Sequence, residues 1–108
     1  MPNKKLVWSK QSQLDISGII DYIAFHDSAN KASAVFEKML GKADDIIEFP
    51  SKGRIVPELR GIGVHDFLEQ IQAPYRLIYR EHENHIVVVA VLDGRRDLGE
   101  VLIQRALM

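Results

Sequence analysis

The chain has 108 residues, with 14 basic against 15 acidic side chains and no cysteine. That length predicts one domain over residues 1–108 with a small core, and the missing cysteines exclude a disulfide framework or a thiolate metal site. A net charge of −1 argues against broad, non-specific binding to phosphates, which draws on a basic excess, so any nucleic-acid role needs a local cluster.

Residues 5–8 read as a first strand, because Val7 and Trp8 supply β-favouring bulk. The apolar run Leu6-Val7-Trp8 is too short for a signal peptide or a membrane span, and a soluble cytoplasmic protein is expected. Ser9 is placed to cap a helix over residues 10–25, whose Ile16, Ile19, Ile20 and Ile23 fall on one face. Asp27 or Ser28 can cap a second helix. There Ala32, Val35, Phe36, Met39, Leu40, Ala43, Ile46 and Ile47 repeat in threes and fours until Phe49-Pro50 stops them. So short a break between two amphipathic helices predicts an antiparallel helical hairpin.

After Ser51 the period changes. Arg54-Ile55-Val56 is a brief extended piece, residues 64–71 read as a strand, and Gln72-Ala73-Pro74 leads tightly into a strand over residues 75–81. Residues 86–92 are apolar on both faces, which predicts a central strand covered on both sides. Asp93-Gly94 ends it, and Leu98, Leu102 and Arg105 follow helical spacing. The expected class is α+β: an N-terminal strand and an antiparallel helical hairpin packed on a small twisted antiparallel β-sheet, with a short C-terminal helix.

Three segments in this order resemble the ParE branch of the ParE/RelE toxins. They are Gly53-Arg54-Ile55-Val56-Pro57-Glu58-Leu59, Pro74-Tyr75-Arg76-Leu77-Ile78-Tyr79 and Val91-Leu92-Asp93-Gly94-Arg95-Arg96-Asp97-Leu98. Val7-Trp8-Ser9 and Asp21-Tyr22-Ile23-Ala24 also match, so the resemblance covers almost the whole chain. It implies the toxin half of a type II toxin–antitoxin pair (a plasmid stabilisation protein), wrapped and neutralised by a cognate antitoxin. ParE-like members poison DNA gyrase, whereas RelE-like members cleave mRNA on the ribosome; neither branch needs a metal or organic cofactor. Where the family commonly has an arginine followed by glutamate, this chain has Leu68-Glu69, and residues 64–71 contain no lysine. That departure argues against RNA cleavage.

Arg76 stands between two tyrosines in its strand, where it can contact a target or form a structural ion pair with Asp97 or Glu69. Arg95 and Arg96 follow a buried strand, so their heads are expected at a sheet edge within reach of a partner. Arg76, Arg95 and Arg96 are therefore the candidate target-binding residues, and Arg76, Arg96 and His65 the catalytic candidates in a nuclease. His65 is read on the strand facing the target, while His82 and His85 flank a turn at spacings that fit no zinc motif. Tyr75 and Tyr79 share a strand face and are expected in the core with their hydroxyls reaching outward.

Three functions remain open from the residues: a gyrase-binding toxin, a ribosome-dependent mRNA endonuclease, and an inactive module that only binds antitoxin. The antitoxin is expected on an apolar groove of the helical hairpin and at the sheet edge, in a hetero-oligomer or beside a homodimer of the toxin.

Overall fold

The computed structural model describes residues 4–108; Met1, Pro2 and Asn3, part of the span 1–108 expected to form one domain, lie outside the described residues. Strand β1 (Lys5–Trp8) leads through Ser9 into helix α1 (Lys10–His26). The Ser9 hydroxyl accepts from the Ser12 N–H at 3.1 Å, as expected of an N-cap. Ser28 does the same for α2 (Ala29–Glu48), accepting from the Lys31 N–H at 3.1 Å. A 3-10 turn over Pro50–Lys52 follows, then β2 (Arg54–Ile55) and a single helical turn, α3 (Pro57–Arg60). The chain continues through β3 (Leu68–Gln72), β4 (Tyr75–Glu81), β5 (His85–Asp93) and α4 (Gly99–Ala106).

The five strands form one sheet in the order β1-β5-β4-β3-β2. All neighbours are antiparallel except β1, which runs parallel to β5 from Lys5 beside His85 to Trp8 beside Val88. The sheet is thus mixed, because α1 and α2 cross back over it before the remaining strands are laid down. β4 runs over the predicted residues, but β3 begins four residues later than expected, and α3 was not foreseen. Gly61, Ile62 and Gly63, with Gly63 at a φ of 84°, keep that segment out of the sheet.

Two cores lie on opposite faces of the sheet. Met39 and Ile46 of α2 pack with Leu77, Tyr79, Ile86, Val88 and Val91 on one face, joined by Ile16 and Ile19 of α1. Val56 and Leu59 pack with Phe67, Ile78, Ala90, Leu98 and Leu102 on the other. Strand β5 serves both, as its two-sided apolar pattern predicts. A β-bulge opposite Ile78/Tyr79 leaves Val89 unpaired, so the face read by Ile86 and Val88 passes to Val91.

Candidate functional site

Four charged side chains meet on the α3 side of the sheet. Arg76 of β4 is only 7% exposed and faces two carboxylates. Its two terminal nitrogens donate to Glu58 Oε1 and Oε2, each at 2.7 Å, and its Nε donates to Glu69 Oε1 at 2.7 Å. Glu69, fully buried on β3, also accepts from Arg54 Nε, its cross-strand neighbour. A planar guanidinium satisfies this arrangement because its donors fan out in a fixed fork. The hydrogen bonds from Arg76 hold the Glu58 carboxyl below its ordinary range, and the same bonds raise the Arg76 pKa further above neutrality.

Local sequence explains how the carboxylates arrive there. Pro57 starts α3 with its φ already set, which puts Glu58 in the first turn, where a negative charge also complements the helix end. A Cβ at position 53 would collide with the Tyr79 hydroxyl and touch the Glu69 carbonyl, so only glycine lets this backbone pass. That hydroxyl donates to the Pro50 carbonyl and accepts from Gln70 Nε2 at 3.2 Å, and burial pushes its pKa up.

The same arginine supports the turn after β5. A Cβ at Gly94 would lie 3.0 Å from both Cγ and Cδ of Arg76 and 3.1 Å from the Pro74 carbonyl, to which the Gly94 N–H donates at 2.8 Å. The turn sits directly on the Arg76 stem and carries Arg95 and Arg96 outward. Arg95 folds back on Asp93 with Nε at 3.0 Å and Nη2 at 2.7 Å, and this pairing lowers the Asp93 pKa. Arg96 is exposed and makes no side-chain hydrogen bond or ion pair with a described residue.

Beside this turn a groove of about 670 Å³ runs between α1 and the outer edge of β5. Leu14, Gly18 and Tyr22 form one wall, Val91 and Leu92 the other, and Arg95 and Arg96 lie at its end. Its edge exists because β1 stops at Trp8, leaving β5 without a neighbouring strand on that side beyond Val88. Two side chains occupy the backbone groups there. Asp15 Oδ2 accepts from the Val91 N–H at 3.0 Å, and Arg105 Nη1 donates to the Val89 carbonyl at 2.9 Å. The two residues also pair bidentately, at 2.8 and 2.7 Å, tying α4 to α1.

A family model described as the "ParE toxin of type II toxin-antitoxin system, parDE" matches residues 6–98. The chain belongs to the ParE toxin family. A solved structure of the chromosomal ParDE TA system from P. aeruginosa shares its fold, with a TM-score of 0.66 at 14% identity, over 83% of this chain and 95% of that one. A search of the curated proteins finds no match.

In this ParE-family chain the three sequence segments meet in space. Gly53, Arg54 and Glu58 come from the first, Arg76 and Tyr79 from the second, Gly94 from the third. Arg76 does form the ion pair with Glu69 that its sequence position allowed, but Asp97 takes no part; its carboxylate accepts from the Gly99 N–H at 3.3 Å instead. Arg76 is thus separated from Arg95 and Arg96 in kind: it is buried and paired, and they are exposed.

His65 is exposed in the loop before β3, not on a strand, because Asp66 is drawn to Arg80 at 3.0 Å and Phe67 turns into the core. His82 and His85 flank the β4–β5 turn with their rings stacked 4.6 Å apart. Among the described residues no three His, Asp or Glu side chains are grouped to hold a metal ion. Tyr75 and Tyr79 both pack on the hairpin face, and Leu68 leans on the same cluster. Sequence reasoning missed Glu58, Asp15 and Arg105. An acid directly after Pro57 was a usable signal for Glu58. Asp15 and Arg105 are 90 residues apart with no local signature.

Proposed function

We propose that this chain is the toxin half of a type II toxin–antitoxin pair, acting in the cytoplasm as one domain over residues 1–108, and that it arrests growth by binding DNA gyrase. A cognate antitoxin holds it neutral in a hetero-oligomer. The observation that carries the choice of target mode is the solvent-facing Arg95–Arg96 turn seated on a buried Arg76. Two exposed guanidinium groups on a fixed turn suit carboxylates or phosphates on a macromolecular surface. Arg95 and Arg96 are the contact residues, and Arg76 supports them from beneath.

RNA cleavage by Arg76, Arg96 and His65 fits less well. Arg76 has its donors committed to Glu58 and Glu69, so a phosphate transition state would compete with two carboxylates already in place. Strand β3, Leu68–Gln72, presents no cation. The reading needs no metal or organic cofactor, and among the described residues no helix is long and apolar enough to cross a membrane. A gyrase supercoiling assay with the purified chain tests it: inhibition at micromolar protein is expected. Unchanged supercoiling together with cleaved transcripts after induction would replace it with the endonuclease.

A further inference from the structure

A balanced net charge leaves phosphate binding to a local basic cluster, and one such cluster lies at the β2–β3 edge of the sheet. A hollow of about 350 Å³ opens there between the carboxyl end of α2, the Pro50–Lys52 turn and β3. That size falls at the low end of small-ligand sites, about 300–1,000 Å³. The turn forming its wall is tied to the sheet. The Phe49 carbonyl accepts from the Lys52 N–H at 3.1 Å and from Gln70 Nε2 at 3.0 Å, which fixes the segment that bears Phe49 and Lys52. The Phe49 ring itself is half-exposed, and Ile71 adds apolar surface to the same hollow.

The carboxylates lining the hollow are paired, whereas two cations are open. Asp45 meets Lys42 at 3.4 Å, and the two oxygens of Glu69 accept from Arg76 and Arg54. Arg54 gives Glu69 only its Nε, on a side chain 62% exposed, so its two terminal nitrogens make no hydrogen bond with a described residue. The Lys52 ammonium stands 5.9 Å from the centre of the Phe49 ring and pairs with no carboxylate among the described residues. A phosphate suits this pair, since the arginine fork can bond two of its oxygens and the ammonium a third. The carboxyl end of α2 works against an anion, but the carbonyl of its C-cap, Phe49, is already held by two donors.

A buried acceptor sets what else the ligand carries. Gln70 is 8% exposed, and its orientation is fixed because the Phe49 carbonyl can only accept. The amide nitrogen therefore faces that carbonyl and the Tyr79 hydroxyl, at 3.2 Å. Gln70 Oε1 receives no hydrogen bond from a described residue. No buried side-chain oxygen among these residues is sealed off unpaired, so Oε1 opens onto the hollow that Gln70 lines.

We propose that this hollow binds a nucleotide: its base stacks on Phe49 and gives an amino N–H to Gln70 Oε1, and its phosphate lies on Lys52 and Arg54. Stacking on an aromatic side chain and charge-assisted bonds to phosphate are the two general contacts of nucleotide recognition, and the buried acceptor selects a base that carries an amino group. The site shares no lining residue with the groove at Arg95 and Arg96, so it stands or falls apart from the choice of target.

The test is titration of the isotope-labelled chain, followed by nuclear magnetic resonance, with adenosine monophosphate, adenosine, inorganic phosphate and a short oligoadenylate. Adenosine monophosphate should shift the amide signals of residues 49–54 and 69–71 and bind at least about tenfold more tightly than adenosine or phosphate. Lys52→Glu and Phe49→Leu should each weaken it at least about fivefold, the scale of one lost stacking or phosphate contact. Lys10→Ala, an exposed lysine at the start of α1, should not, and circular dichroism checks that all three variants fold. Purine riboside monophosphate, which lacks the amino group, should bind about fivefold more weakly, as for one lost hydrogen bond. Tighter binding of the oligoadenylate through the same signals would assign the nucleotide to a single strand, and weaker binding to a free one. Equal binding of phosphate would reduce the hollow to an anion site and overturn the proposal, as would equal binding of adenosine. Undiminished binding of purine riboside monophosphate would remove Gln70 from recognition. Absent shifts, or shifts scattered over the surface, would overturn the site altogether.

Discussion

Arg76 and Glu58 face each other through two parallel hydrogen bonds of 2.7 Å, with the remaining Nε of the arginine turned to a fully buried Glu69. One cation thus neutralises carboxylates from α3 and β3 while its stem carries the turn that presents Arg95 and Arg96. Replacing it by Met leaves Glu69 buried with Arg54 alone, and breaking a buried pair from one side costs about 3–5 kcal/mol. Arg76→Lys should recover little of this, because a point charge cannot bond both carboxylates in the fork geometry. Urea unfolding of the two variants measures the cost; a loss under about 1 kcal/mol, the range of an exposed pair, would show the clamp to be ornamental.

The same pairing sets an acid limit. Glu58 is held below its ordinary carboxyl range in the fold, by Arg76 first, and Asp93 likewise, by Arg95. Between the folded and unfolded pKa of each, the unfolded chain binds more protons, so stability rises with pH across that window. The contribution is complete above the ordinary carboxyl range and disappears as pH falls through the folded value. Unfolding midpoints taken from neutral pH down to about 3 should decline below roughly 4.5, the usual region for carboxylates. Glu58→Gln should be less stable at neutral pH and flatter through the acid range; an unchanged slope would rule out Glu58 as a source.

How much of this was legible in the sequence depended on the range of the signal. Ser9, Ser28 and Phe49-Pro50 bound the helices because caps and breakers act within a few residues. The two-faced run of β5 announced a central strand. The parallel course of β1 was not legible, since strand pairing across two intervening helices leaves no periodic trace. Residues 64–67 have strand-like composition, yet the Gly61–Gly63 turn and the Asp66–Arg80 pair hold them in a loop. Arg95 and Arg96 were found from a turn after a buried strand. The burial of Arg76 was only one of two open readings, because two acids from other elements decide it.

The glycines separate by what surrounds them. Gly53→Ala would push against a Tyr79 hydroxyl that is fixed by Pro50 and Gln70, and overpacking of that kind costs about 1–3 kcal/mol. Gly18→Ala meets nothing and sits inside an exposed helix, where alanine is favoured by about 0.5–1 kcal/mol. Thermal melts should therefore move in opposite directions for the two changes. A shared direction would mean that the close approach at Gly53 relaxes freely.

Arg105 is expected to hold α4 in place more than its position near the chain's end suggests. It donates to the Val89 carbonyl and to both oxygens of Asp15, and the hydrogen bonds to Asp15 raise the Arg105 pKa. Arg105→Met removes the donors from three part-buried acceptor oxygens, a loss of about 1–3 kcal/mol. Hydrogen exchange should quicken at Leu102 and at the Val91 N–H, while β1 and α2 keep their protection. Uniform change along the chain would instead mean that α4 does not open separately.

Arg95 and Arg96 offer the contrast that ties stability to function. Both are exposed, and surface changes outside buried networks typically move stability by no more than about 0.5 kcal/mol. Their work, on the reading proposed here, is done on a partner. Arg95→Ala and Arg96→Ala together should lower the melting temperature only slightly, through the lost Asp93 pair, and weaken gyrase inhibition about tenfold or more, equivalent to about 1.4 kcal/mol of binding. Arg76→Met should weaken inhibition as well, but only in step with its lost stability, since it acts through the turn above it. Full inhibition by the double variant would place the target contact elsewhere on the surface. Loss of inhibition accompanied by a large drop in melting temperature would make the two arginines structural, and the distinction from Arg76 would fail.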